Sequence, residues 1–315
     1  MISFRFHVVS ITAMFLALAI GILVGSTYVD RALVDNLQTR IDRVSGNLDD
    51  RKAENDALEI ELEQARGYIT PSADFAVTDR LAGVPVLVVA MRGVEPVAVA
   101  ESVRLARQAG GIVPGVVWVE PNRNLTTKED LAGMRELVGG SNLAKSDQLW
   151  TEAWTSISGE LAQSPAPDLA SPPGQEAGTP VLSALIDAGF LTFDNQGNDG
   201  VALTTLAGRG ARVLVVTGNG LTDDLTPVVV ATNAAGGMVV AEVFAPRGDG
   251  LARGVALRAS LKPPTIEQIA IVDNADRTEG RVASILALAG TPRVIPAHYG
   301  YGPDADAVLP AWSPT

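Results

Sequence analysis

The chain carries two histidines, His7 and His298, and no cysteine among its 315 residues, so its supply of nucleophiles and soft metal ligands is narrow. Without thiolates there is no disulfide, zinc ribbon, iron–sulfur cluster or thiolate copper site. Two histidines at opposite ends of the sequence make neither a histidine metal centre nor a Ser-His-Asp arrangement by themselves. The residue types therefore name no catalytic group, no cofactor-binding residue and no metal ligand, and the expectation is a protein that is not an enzyme.

Three clusters could still do chemistry. TGNG at 217–220 follows one apolar run, and Glu242 stands near the end of the next, where a dinucleotide fold places its ribose-binding acid. The third glycine is missing. Thr222, Asp223 and Asp224 occupy that stretch, and their side chains cap a helix well but repel a pyrophosphate at the same N–H groups, so a capped turn is the expectation. The second cluster is Asp273, Asp276, Arg277 and Glu279, just beyond the apolar run 268–273, where open α/β sheets place ligand crevices. Such carboxylates suit a hard cation or an acid–base pair. They suit better the N-capping of a helix opening beside Thr278, with Arg277 as an ion-pair partner. The third is His298-Tyr299-Gly300-Tyr301-Gly302, read as a loop packed on the domain. Asp273, Asp276, Arg277, His298 and Tyr299 together form the candidate crevice. Met91, Met134 and Met238 read as core filling, and Trp150 and Trp154, four apart, as the apolar face of a helix.

The elements that must position these residues follow a second pattern. Residues 84–91 (VPVLVVAM), 112–119 (IVPGVVWV), 211–217 (ARVLVVT), 238–244 (MVVAEVF) and 268–273 are short continuous apolar runs, as expected of strands buried on both faces of a parallel sheet. Helical stretches near 96–109, 223–235 and 278–289 alternate with them, stopped by Gly110 and Gly111, by Gly236 and Gly237, and by Gly290. The predicted class is a three-layer α/β head with a mostly parallel sheet over 71–315, its halves separated by a Pro-rich loop or linker at 163–180.

Upstream lies a different kind of sequence. Residues 8–29 (VVSITAMFLALAIGILVGSTYV) hold no charge and are long enough to cross a hydrocarbon layer of about 30 Å. Arg5 precedes and Asp30 follows, so residues 1–7 are expected in the cytoplasm and the head outside. A cleaved signal peptide is the alternative, with Val24, Gly25 and Ser26 as a small-residue site. Over 30–70 the spacing alternates three and four through Val34, Leu37, Ile41, Val44, Leu48, Arg51, Asn55, Leu58, Leu62, Ala65 and Ile69, the a and d positions of a coiled coil. Asn55 at an a position favours a parallel, in-register dimer, whereas Arg51 at d weakens the seam. Gly67, Thr70 and Pro71 are the predicted stop. The seam could instead pack back on the chain's own head.

Acidic residues outnumber basic ones 36 to 24, for a net charge of −12, which argues against nucleic-acid partners that are held by replacing counterions with Lys and Arg. The expected partners are the membrane, a second copy of the chain and a further protein.

The opening MISFRFHVVSITAMFLALAIGILVGS, the heptads, QAGG at 108–111, RVASILALAG at 281–290, HYG at 298–300 and GPDADAVLP at 302–310 together resemble the mycobacterial copper transport protein B (MctB) family over essentially the whole chain. The resemblance implies an envelope protein of mycolate-type bacteria, an outer-membrane location and a part in copper efflux, copper being implied by the resemblance alone. SteB-like members of the group imply a membrane-anchored coiled-coil partner in the control of cell-wall hydrolases.

Overall fold

The computed structural model describes residues 4–120, 125, 127–141, 144–162, 180–198, 200–221, 225–232, 237–246, 250–261, 263–291 and 297–311. The Pro-rich stretch up to residue 179, Thr222, Asp223, Asp224 and Gly236 lie outside them. The chain divides into two compact units, Met1–Gly67 and Tyr68–Thr315.

The first unit is helical throughout its described residues and belongs to α1, Phe4–Val77. Its stretch Phe4–Gly25 is long and apolar enough to cross a membrane, and none of it is buried. Beyond the anchor the heptad positions stand open: Val34, Leu37, Ile41, Val44, Leu48, Leu58 and Leu62 keep between 47% and 64% of their surface exposed. Asn55 is exposed as well, and Arg51 pairs with Glu54 one turn on.

The expected stop at Gly67, Thr70 and Pro71 does not hold, because α1 runs on through Pro71 to Val77. A proline inside a helix forfeits a hydrogen bond and costs about 3 kcal/mol. Burial of Ala73 and Val77, together with Leu81 just beyond, offsets that penalty, since fully burying one such aliphatic side chain is worth roughly 1.5–3 kcal/mol. Ile69 is half-buried.

The second unit is built on a seven-stranded sheet in the order β3-β2-β1-β4-β5-β6-β7. The strands are β1 (Val86–Met91), β2 (Val116–Val119), β3 (Leu191–Asp194), β4 (Arg212–Gly218), β5 (Met238–Val243), β6 (Ala270–Val272) and β7 (His298–Tyr299). All neighbours pair in parallel except β2 and β3, where Val117 faces Phe193 in an antiparallel ladder. In the centre Val89 pairs with Val215 and Val215 with Val240, and every residue of β1, β2, β5 and β6 is buried. A strand covered on both faces has no polar side to show, which is why these segments read as unbroken apolar runs.

Helices α2 (Pro96–Gln108) and α8 (Thr278–Gly290) pack on each other, α8 lying against β4, β5 and β6. A second group comprises α3 (Lys128–Val138), α4 (Ser146–Leu161) and α5 (Pro180–Asp187), with α6 (Thr226–Thr232) on α4. Trp154 of α4 is fully buried, and Trp150 meets Phe190 edge to face at 6.4 Å. Met91, Met134 and Met238 are core residues. The short helix α7 (Val255–Ser260) follows β5, and His298-Tyr299, read as loop, forms the edge strand β7.

Candidate functional site

The carboxyl ends of β5 and β6 and the start of β7 bring Glu242, Asp273 and His298 side by side. Glu242 is the sole acid in the strand MVVAEV, and it is fully buried there. Its Oε2 accepts the backbone N–H of Gly254 at 2.7 Å, while Oε1 has no hydrogen-bond donor. Burial pushes its carboxyl up to about 7, the Asp273 charge adding to the rise against the opposing pull of the Gly254 N–H, Arg253 and His298.

Asp273, at the end of β6, is also fully buried. Its Oδ1 accepts Tyr301 N–H at 2.8 Å and its Oδ2 accepts Gly302 N–H at 2.7 Å. Oδ2 also lies 2.7 Å from His298 Nε2, a close contact whose ring N–H direction is not aligned for a hydrogen bond. Burial is the largest single influence on this carboxyl and pushes it up. His298 and the two backbone N–H groups together outweigh it, and the net shift is downward. Gly300 makes the cradle possible, since its φ of 136° suits glycine and a Cβ there would strike the Asp273 carboxylate.

The neighbouring charges are tied down as well. Arg253 grips Asp276 with both Nη atoms, Nη2 to Oδ2 at 2.9 Å, and stacks over Phe244 at 4.6 Å. Arg277 is half-exposed, 3.9 Å from both Asp276 and Glu279 and 5.5 Å from the Tyr301 ring centre. Tyr301 donates its hydroxyl to Glu279 at 3.2 Å. Tyr299 is buried, and His298 is locked by Asp306, which takes the His298 N–H at 2.9 Å.

The capping expected of this cluster is absent. Helix α8 has Arg277 at its N-cap with no side-chain cap bond, because Asp273 serves the 300–302 turn and Asp276 serves Arg253. The structure gathers Asp273, Asp276, His298 and Tyr299 at one end of the sheet and leaves Arg277 on its rim. Arg253 and Gly254 were not legible as members, and Glu242 was legible only as an acid at the position of a dinucleotide fold's ribose-binding carboxylate.

TGNG closes on itself. Asn219 donates Nδ2 to Ala245 O at 2.9 Å and accepts Ala245 N–H, tying the end of β4 to the end of β5. The Leu221 side chain lies against both Gly218 and Gly93, at the point between β1 and β4 where the strand order reverses and a dinucleotide phosphate would sit. Glu242 faces Gly254, so it is not presented to a ribose.

Among the described residues no group of three or more His, Cys, Asp or Glu side chains is placed to hold a metal ion. His7 is exposed on α1, and Met91, Met134 and Met238 sit buried in the core.

Residues 1–310 match the family described as "Copper transport outer membrane protein, MctB". Proteins named copper transporter MctB from Mycobacterium tuberculosis and Mycobacterium bovis are each 29% identical to this chain over 306 residues, covering 91% of it and 92% of the relative. That of Mycobacterium leprae is 29% identical over 307 residues with the same coverage. The match runs from the apolar opening of α1 to the turn beyond β7, and the chain belongs to the MctB family.

Proposed function

We propose that this protein serves copper transport at the cell envelope as a single-pass, N-terminally anchored component that is neither an enzyme nor a metal-binding protein. The family match over residues 1–310, with relatives named as copper transporters, carries this reading. The apolar stretch Phe4–Gly25 supports the anchor, and Arg5 on its short side favours a cytoplasmic amino terminus and an external head. Copper enters as cargo of the pathway. The donor set favours an indirect part: no thiolate exists, and among the described residues no group of three His, Asp or Glu side chains is placed to hold a metal ion. The strands of the head run two to seven residues and the central ones are buried on both faces, unlike the ~9–11-residue, lipid-facing strands of a membrane barrel. A deletion strain under copper stress should hold more copper and grow less, and the full chain should restore both. Equal copper content in deleted and restored cells would refute the reading.

The open stripe on α1 favours a second layer to this proposal. Seven large aliphatic side chains at heptad positions stay about half exposed, and an in-register second copy would cover them as a coiled coil, with Asn55 paired across the seam. Such a dimer would act as a scaffold for an envelope protein partner, cell-wall hydrolase control being one use. Light scattering of the full chain in detergent should give a dimer that Leu58→Asp with Leu62→Asp splits. A wild-type monomer would remove the scaffold layer and leave the copper reading standing.

A further inference from the structure

We propose that the cavity between α2 and the turn 195–197 beyond β3 is a binding site for a small organic carboxylate, held by Arg104 and Arg107. The cavity measures about 520 Å³, within the range of small-molecule sites. Ala100, Val103, Arg104, Arg107 and Gln108, spaced along one face of α2, form one wall, and Gln196 forms the other. Val103 is buried and Ala100 half-buried, so an apolar patch lies beside two guanidiniums and two amides. Among the described residues no carboxylate lines it.

The two guanidiniums have different needs. Arg107 donates Nε to Val113 O at 3.3 Å, Nη2 to Val113 O at 3.2 Å and Asn195 O at 3.1 Å, and Nη1 to Gln196 O at 3.1 Å. These acceptors are neutral carbonyls, which satisfy its N–H groups without answering its charge, and burial pushes the guanidinium below its ordinary value. An anion in the cavity supplies the missing counter-charge. Arg104 donates Nε to Glu101 at 2.9 Å and Nη1 to Asp74 at 2.8 Å, and among the described residues nothing accepts from its Nη2. That open edge suits a carboxylate. Glu101 and Asp74 are themselves half-exposed, so water screens their repulsion of a ligand. Asp194 is taken up by Gln196, whose backbone N–H and Nε2 it accepts. Gln196 stands at a φ of 53°, uncommon for a residue with a side chain, and in this conformation its carbonyl meets Arg107. The patch of Ala100 and Val103 suits the carbon body of an organic acid better than an inorganic anion.

Isothermal titration of the full chain in detergent micelles at low salt tests the site, with succinate as the probe and its uncharged diamide, succinamide, as the control. Succinate should bind saturably, more weakly as salt is added, and succinamide should not bind. Arg104→Gln and Arg107→Gln should each weaken succinate by about tenfold or more. No saturable heat up to about 10 mM succinate would overturn the proposal, as would equal binding of succinamide or an affinity unchanged in both variants. Binding of inorganic phosphate in preference to succinate would overturn the assignment to an organic acid. Arg107 also holds the turn 195–197, so should Arg107→Gln not fold, Arg104→Gln decides alone.

Discussion

Two buried carboxylates on neighbouring strands respond to pH with opposite signs. Glu242 ionises at about 7 in the folded protein against 4.5 when free, so the native state holds a proton that the unfolded chain releases, and stability falls as pH rises from about 4.5 to about 7. The loss is on the order of 3 kcal/mol and is flat above neutrality. Asp273 is lowered from 3.8 by His298 and two backbone N–H groups against the push of burial, so its contribution is full above 3.8 and drains away as pH falls through its folded value. Urea unfolding followed by tryptophan fluorescence should therefore show a maximum near pH 4.5 to 5, with a decline to neutrality that Glu242→Gln reduces, the remainder belonging to Glu160, which burial also raises, and an acid limb that it leaves in place. A decline of unchanged size in Glu242→Gln would assign it to another group.

Helix α1 shows how an element escapes its local signals. Pro71 sits inside it, yet the helix continues because its last turns bury Ala73 and Val77. Pro71→Ala should restore the missing N–H and stabilise the protein by up to about 3 kcal/mol, less the entropy that proline removes from the unfolded chain. An unchanged or lower urea midpoint would mean that the last turns contribute nothing to the domain. The same contest between local pattern and distant packing set what could be read beforehand. Strands β1, β4 and β5 were legible because burial on both faces leaves a continuous Val-rich signature. Strand β3 was not, since only Leu191 of its four residues is buried, and β7 has just two residues paired to β6. The site inherits this limit. Asp273 and His298 were each visible as residues, but their contact depends on the parallel pairing of β6 with β7 across 25 positions of sequence. Glu242 is visible in the sequence only as an acid at the place where a dinucleotide fold would put its ribose-binding carboxylate, because nothing local announces the approach of Gly254.

At the scale of the whole molecule, the proposed single membrane crossing would fix the compartment in which the chain beyond it works. The apolar stretch Phe4–Gly25 has Arg5 as its only charged residue, at the amino-terminal end, while the chain beyond carries the acidic excess. Basic residues are held on the cytoplasmic side, so the topology proposed above, with a cytoplasmic amino terminus and an external head, is the expectation to test. The absence of cysteine makes this directly measurable, because a single introduced thiol is the only one the chain can present. In intact cells a membrane-impermeant maleimide should label Ser45→Cys, an exposed position on α1 beyond the anchor, and should label Ser3→Cys only after the membrane is opened. The reverse pattern would turn the head inward and exclude it from any external step of copper export. Failure of Ser3→Cys to label even in opened membranes, while Ser45→Cys labels, would mean that the apolar stretch is cleaved as a signal peptide, and α1 beyond Gly25 would then have to find its membrane contact through a partner.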